Sequence, residues 1–166
     1  GLLLGLACKQ YNANPVILEK SPEKIKVVAQ FCKKADIPIS DNAAAFDEVD
    51  VAINATPDLT TFVDGISKLN PSGKFCLFSG FTKNVTIPPD LLNEIHYRQL
   101  TIVGAYGSIK RQMETALKIF ENNSQTIRLL IHRVIKLEDV PLVLPKILLG
   151  QDLKYVVSFD GDTFGN

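Results

Sequence analysis

The chain contains 166 residues, of which 46% are hydrophobic, enough for one domain to bury a core without disulfides or metals. Eighteen Lys and Arg residues balance eighteen Asp and Glu residues without forming a basic run, which argues against a nucleic-acid-binding protein. The apolar opening Gly1–Cys8 stops at Lys9, well short of the roughly twenty residues of a membrane span, and it lacks a signal-peptide pattern. We therefore expect a cytoplasmic protein whose partners are small molecules or copies of itself.

Short apolar runs rich in branched residues alternate with helical patterns over residues 1–122. These runs are too continuously apolar for a sheet with one exposed face. They predict a parallel sheet covered by helices on both faces, which is the doubly wound α/β class. The predicted strands are Pro15–Glu19, Ile37–Ile39, Val49–Asn54, Lys74–Ser79 and Leu100–Gly104.

Three helices between and after these strands are predicted from apolar residues repeating at i, i+3, i+4 and i+7. The stripes begin at Ile25, Leu59 and Met113. Ser21–Pro22 and Thr56–Pro57 each place a capping side chain before a proline, a pattern that predicts a helix N-terminus.

The alternation of strand-like and helical patterns changes over residues 123–166, which we interpret as a separate segment added to the domain of residues 1–122. A strand-like run, Ile127–Ile135, is followed by a helical apolar series and a second strand, Tyr155–Phe159. Pro141 suits a first helical turn, whereas Pro145 is predicted to kink or split that helix.

Metal-binding and redox motifs are not evident in the chain. Cys8, Cys32 and Cys76 are far apart, without the close pairs typical of structural zinc or redox disulfides, so we expect reduced thiols. His96 and His132 are the only histidines, and we interpret both as packing or surface residues.

The first candidate site combines Gly1 with Glu19. A dinucleotide-binding turn needs glycines before a helix, so that backbone donors meet the pyrophosphate, and an acid about twenty residues later for the ribose. Gly1 and Glu19 have that spacing, although only one glycine of the turn is present. An arbitrary glycine and a solvent-facing glutamate remain the alternative.

Small and polar residues follow the later strands, at the edge where an open parallel sheet binds its ligand. Such residues let a ring or ribose approach the backbone. Thr56 could equally be only a helix cap, and Phe81 only loop packing. The three segments are Asn54-Ala55-Thr56, Ser79-Gly80-Phe81 and Ala105-Tyr106-Gly107.

Four longer stretches of the sequence resemble segments of one enzyme family. NEIHYRQLTIVGAYGS from Asn93 resembles the entry into the last cofactor-domain strand of zinc-type medium-chain dehydrogenases, the sorbitol and threonine dehydrogenase relatives. DVAINATPDLTTFVDGISKLNPSGKFCLFSG from Asp50 is similar to their fourth strand, helix and fifth strand, including a turn at Leu69–Gly73. ALKIF from Ala116 and LLIHRVIKLEDV from Leu129 resemble the following helix and the return to the catalytic domain. The resemblance covers nearly the whole chain in order.

The resemblance implies a Rossmann-type NAD(P)-binding domain whose first strand would precede Gly1. Gly1 corresponds to the last glycine of the family's GxGxxG, Glu19 to the acid on the adenosine ribose, and Lys24 to a basic residue beside the adenine. The acid favours NAD over NADP, although Lys20 beside it weakens that inference.

The later loops can be assigned in the same way. Asn54, Ala55 and Thr56 match the loop along the cofactor. Ser79 precedes the loops near the nicotinamide, which Gly80, Phe81, Ala105 and Tyr106 match.

The family transfers a hydride between an alcohol and NAD, with zinc as a Lewis acid. Its zinc ligands lie in an N-terminal domain outside this chain, so we expect no catalytic or metal-binding residue here and no activity from the chain alone. The substrate would be a polyol or amino alcohol. Pairing of Leu100–Gly104 between two subunits would give a homo-oligomer.

Two alternatives remain open. The chain could be a non-catalytic nucleotide-binding or dimerisation module. It could also belong to a zinc-free quinone reductase relative, although such enzymes typically use NADPH and favour small or basic residues where Glu19 stands.

Overall fold

The computed structural model describes residues 1–81, 86–150 and 152–159. The helices are α1 (Leu2–Gln10), α2 (Pro22–Ala35), α3 (Leu59–Ser67), α4 (Pro89–Tyr97), α5 (Lys110–Asn122), α6 (Ser124–Ile127) and α7 (Val140–Leu148). The strands are β1 (Ile17–Leu18), β2 (Ile39–Ser40), β3 (Val49–Asn54), β4 (Leu69–Leu77), β5 (Thr101–Gly104), β6 (Ile131–Lys136) and β7 (Lys154–Ser158). Short 3-10 turns occupy Ala43–Ala45, Arg128–Leu130 and Leu137–Asp139.

The strands pair in parallel throughout the described ranges, in three groups: β1 with β2, β3 with β4 and β5, and β6 with β7. By its contacts the chain forms two compact units, the first made of Gly1–Asp41 with the chain from Arg111 onward, the second of Asn42–Lys110. The division into residues 1–122 and 123–166 stays a prediction.

The second unit has a three-stranded sheet in the order β3-β4-β5. Helices α3 and α4 cover one face of this sheet, and their apolar stripes meet the strands in one core. Phe62 of α3 contacts Phe75 of β4 edge-on, with 4.9 Å between the ring centroids. The buried residues of this core are Phe62, Ile66, Leu69, Phe75, Leu91 and Leu100.

Gly65 lets α3 approach β4 closely. A methyl group at this position would lie 2.6 Å from Cε2 of Phe75, a side chain that is only 1% exposed. A glycine inside a helix costs about 1 kcal/mol relative to alanine, so the close contact explains its presence here.

Strand β4 begins earlier than predicted, at Leu69 rather than Lys74. The expected turn at Leu69–Gly73 lies within this strand: Leu69 pairs with Val49 and Lys74 with Val51, so β4 advances five residues while β3 advances two. Ser72 accommodates the irregularity with a φ of 65°. The Arg98 guanidinium donates to the carbonyl of Leu69 and satisfies backbone groups that a regular ladder would pair.

The first unit packs α1 and α2 around the β1–β2 pair. The predicted helix start is confirmed, since Ser21 accepts a hydrogen bond from the Lys24 amide and Pro22 occupies the first turn. Gly5 of α1 lies against Ile17, where a Cβ would be 3.4 Å from the isoleucine side chain. The buried residues of this core are Leu6, Val28, Phe31, Cys32, Ile127 and Leu130.

Two predictions for the C-terminal segment are corrected. The strand predicted over Ile127–Ile135 starts only at Ile131, because the preceding residues form α6 and a 3-10 turn that bury Ile127 in the core. Helix α7 continues through Pro145 without splitting. The bond that this proline removes would involve the carbonyl of Pro141, an exposed residue in the first turn, where water can replace it.

Helix α5 forms as predicted, but its apolar stripe is not buried among the described residues. Met113, Leu117 and Phe120 remain 59%, 62% and 45% exposed. None of the helices in the described ranges combines the length and hydrophobicity needed to cross a bilayer.

Candidate functional site

The parallel register brings the carboxyl ends of β3, β4 and β5 side by side. Asn54 pairs with Leu77, and Leu77 pairs with Gly104. The Ser79 amide donates to the Asn54 carbonyl at 3.0 Å, and the Ala105 amide donates to the Leu77 carbonyl at 3.1 Å. The three segments singled out in the sequence therefore lie at one edge of the second unit.

A polar cluster organises the loop after β3. The side-chain oxygen Oδ1 of Asn54 accepts from the Thr56 amide at 2.9 Å and from the Thr61 hydroxyl at 3.2 Å. The hydroxyls of Thr56 and Thr61 are themselves 2.9 Å apart. Asn54 is only 4% exposed, so this cluster anchors the loop from inside the unit.

The predicted capping role of Thr56 is wrong. Helix α3 begins at Leu59, and its N-cap is Asp58, whose carboxylate accepts from the Thr60 amide at 2.9 Å. Thr56 instead accepts from the Asp58 amide at 3.3 Å within the turn before the helix. A carboxylate at the positive end of a helix is also a charge-assisted acceptor, which favours Asp58 as the cap. Thr56 is left exposed at the sheet edge.

The exposed positions at this edge are small or freely accessible. A Cβ placed on Gly80 would have no atom of the described residues within 4 Å, and Tyr106 is fully exposed. Phe81 differs, because its ring packs edge-on against Phe62 at 6.0 Å between centroids and joins the core. Loop packing is therefore the role that the contacts of Phe81 show, whereas Thr56, Gly80 and Tyr106 present accessible surface.

The first unit brings Gly1 and Glu19 into electrostatic reach. Helix α1 begins at Leu2 without a side-chain cap, so the amides of its first turn lack helical partners. Gly1 lies close enough to Lys154 and to Glu19 for both side-chain charges to act at its nitrogen. Lys154, on β7, was not predicted from the sequence, because its proximity to Gly1 depends on the tertiary fold.

Glu19 is held in place by the turn that leads into α2. The Ser21 amide donates to Oε1 of Glu19 at 3.0 Å, and Ser21 in turn caps the helix through the Lys24 amide. The Lys24 ammonium lies against Gly150, 4.0 Å from where a Cβ would stand. The hydrogen bond to one carboxylate oxygen of Glu19 thus fixes the orientation of the whole carboxylate group.

The thiols and imidazoles lie in ordinary environments. The three cysteines are free, and burial raises the pKa of the Cys32 and Cys76 thiols. Nε2 of His132 is 3.6 Å from a carboxylate oxygen of Asp152, and His96 stacks on Tyr97.

Within residues 1–81, 86–150 and 152–159, no cluster of three or more His, Cys, Asp or Glu residues could hold a metal ion. The described residues therefore do not fit a zinc centre, and no zinc-dependent step is assigned to them.

No protein-family model and no curated protein matches the sequence. Solved structures do match. Alcohol dehydrogenase from Thermotoga maritima superposes with a TM-score of 0.81 at 16% identity, over 94% of this chain and 46% of that chain. 2R,3R-butanediol dehydrogenase from Bacillus subtilis gives 0.77 at 21% identity, over 96% and 48%. Haloferax mediterranei glucose dehydrogenase in complex with NADP, zinc and gluconolactone gives 0.69 at 14% identity, over 89% and 43%.

The chain spans just under half the length of each of these structures, at 46%, 48% and 43%. The parallel strands with flanking helices agree with this match and confirm the α/β class expected from the sequence. The chain thus has the Rossmann-type fold found in solved structures of alcohol, butanediol and glucose dehydrogenases.

Proposed function

We propose that this chain is the nucleotide-binding part of an oxidoreductase that transfers a hydride between a polyol or amino alcohol and NAD. The main support is the edge where β3, β4 and β5 end together and expose Thr56, Gly80 and Tyr106. In a parallel α/β sheet, this edge is where ligands bind. When bound, NAD would supply the hydride acceptor, and the exposed loops after β3, β4 and β5 would hold its nicotinamide.

The first unit is proposed to bind the adenosine and pyrophosphate groups. The amides at the start of α1 and the ammonium of Lys154 favour a negatively charged pyrophosphate near Gly1. The second carboxylate oxygen of Glu19 accepts from the ribose hydroxyls, and Lys24 flanks the adenine. The carboxylate of Glu19 repels a 2'-phosphate, which supports NAD as the cofactor. A neighbour of the same fold binds NADP, so this preference comes from the side chain and not from the fold.

Zinc activation of the alcohol is proposed to come from residues outside this chain. The complete protein, loaded with zinc, should then oxidise at least one member of a panel of polyols and amino alcohols with NAD. Replacement of Glu19 by Ala should raise the KM for NAD and lower the KM for NADP, because the repulsion is removed. Failure to oxidise any alcohol with either nucleotide would contradict the proposal. A zinc-free enzyme that reduces quinones with NADPH would support the quinone reductase alternative.

A dimerisation role has its own support. β5 pairs with β4 on one side, and its residues, including Ile102 and Val103, are exposed. Such an apolar strand edge can pair with a second copy. We propose homo-oligomerisation through Leu100–Gly104, which Val103→Lys should weaken in light scattering. If the dimer forms but no nucleotide binds, the chain is a non-catalytic module.

A further inference from the structure

We infer that Asn54 is a positioning residue, which fixes the loops after β3 and β4 and does not itself contact the nucleotide. The inference rests on the proposed function and refines it. The sequence alone had grouped Asn54 with Thr56 as a residue along the cofactor. The structure separates them, since Asn54 is 4% exposed while Thr56 is exposed.

The side chain of Asn54 acts as an acceptor toward the loop after β3. Its Oδ1 atom accepts from the Thr56 amide at 2.9 Å and from the Thr61 hydroxyl at 3.2 Å. A backbone amide can only donate, so the partner atom must be the oxygen and the orientation of the Asn54 amide is determined. This acceptor joins the exposed loop residue Thr56 to the first turn of α3.

The main chain of Asn54 holds the neighbouring loop. Its carbonyl oxygen accepts from the Ser79 amide at 3.0 Å and from the Phe78 amide at 3.2 Å. These two residues lead directly into Gly80, which is exposed at the same edge. One buried residue therefore sets the positions of both loops, one through its side chain and one through its backbone.

The remaining polar atom of Asn54 argues against direct contact with a ligand. Nδ2 is buried and has no hydrogen-bond partner among the described residues. An occluded donor cannot reach a ribose or a carboxamide without rearrangement, and leaving it unpaired weakens the fold. The atom of this side chain that positions the loop is accordingly Oδ1. A substitution that keeps an acceptor oxygen at this position should therefore preserve nucleotide binding.

Two variants of the complete protein separate the acceptor from the donor. Asn54→Leu removes both polar atoms, and we expect NADH to bind about tenfold more weakly because two hydrogen bonds to the loop are lost. Asn54→Asp keeps an acceptor oxygen in either protonation state, and we expect binding within about threefold of the unaltered protein. AMP, which needs only the adenosine site around Glu19, should bind both variants equally.

The outcomes are distinguishable. If Asn54→Leu binds NADH as tightly as the unaltered protein, the inference is wrong although the proposed function stands. If Asn54→Asp retains its circular dichroism spectrum yet loses as much affinity as Asn54→Leu, the acceptor oxygen does not preserve binding and the inference is again wrong. If the unaltered protein binds neither NADH nor AMP, the proposed function fails and the inference with it.

A milder variant keeps the test valid if Asn54→Leu fails to fold. The Thr61 hydroxyl lies 3.2 Å from Oδ1 of Asn54 and 2.9 Å from the Thr56 hydroxyl, and it also lies 2.7 Å from the Asp58 carbonyl. Thr61→Val removes all three contacts, and we expect NADH binding to weaken about threefold, with a shift of the Thr56 amide resonance. Ser67→Ala is the matched control, because it removes a hydroxyl at the opposite end of α3 that donates to the Asp64 carbonyl. Equal NADH affinity in both variants would overturn the inference.

Discussion

Replacement of Gly65 by alanine tests whether α3 lies as close to β4 as the structure shows. In an open helix, Gly→Ala stabilises by about 1 kcal/mol. Here the new methyl would lie 2.6 Å from Cε2 of Phe75, whereas carbon atoms normally approach to about 3.5–4.0 Å. Phe75 is 1% exposed and packs on Phe62, so it has little room to move.

Overpacking of this kind costs about 1–3 kcal/mol, which offsets or exceeds the gain from alanine, so we expect a net loss of roughly 0–2 kcal/mol in the free energy of unfolding. Urea denaturation followed by circular dichroism measures this loss. The control is Gly5→Ala, where the nearest atoms are flexible isoleucine ends at 3.4 Å, so we expect stabilisation of up to about 1 kcal/mol. Phe75→Leu should relieve the clash, so the double variant should be more stable than additivity predicts. A stabilising Gly65→Ala would refute the close packing.

Three further predictions concern single groups. Replacing Asp58 by Ala should cost about 1 kcal/mol in urea denaturation, because α3 loses the cap to the Thr60 amide; an unchanged midpoint would contradict that cap. Burial raises the pKa of Cys32, so less of this side chain is thiolate at a given pH. Its thiol should therefore react with Ellman's reagent more slowly than the thiol of glutathione at pH 8. Reaction as fast as that of glutathione would show that Cys32 is not buried. Lys154→Ala should weaken NADH binding about threefold at low salt, because a positive charge near the proposed pyrophosphate site is lost, whereas the control Lys146→Ala should not. Equal NADH affinities of the two variants would show that Lys154 does not interact with the pyrophosphate.

The elements that the sequence predicted correctly are those set by local chemistry. β3 has the predicted bounds, Val49–Asn54, since its run of branched residues favours extended backbone. It is not buried on both faces as expected, because Val51 and Ile53 remain 54% and 37% exposed. Ser21 and Pro22 start α2 as expected, since the cap and the first-turn proline act within one local segment. The adjacency of the segments after β3, β4 and β5 also followed from sequence, because parallel strands share one carboxyl edge.

The errors arise where tertiary contacts override local preference. Residues Leu69–Gly73 turn as predicted but also begin β4, because Leu69 pairs with Val49 before the turn, a contact that the local sequence does not specify. Thr56 loses the capping position to Asp58, which is closer to the start of the helix and charged. Lys154 could not be connected with Gly1 by any spacing rule, since the two are separated by almost the whole chain.

The same limit applies to the candidate site. Residue types and order indicated which positions reach the sheet edge, but not which of them are accessible. Burial distinguishes Asn54 and Phe81, which pack inside the second unit, from Thr56 and Gly80, which are exposed.

A fluorescence titration of the complete protein with NADH tests the central claim most directly. The proposal predicts a saturable change in nicotinamide fluorescence that added NAD reverses by competition and that Glu19→Ala weakens. A strictly linear signal up to millimolar NADH, from protein with a native circular dichroism spectrum, would contradict nucleotide binding.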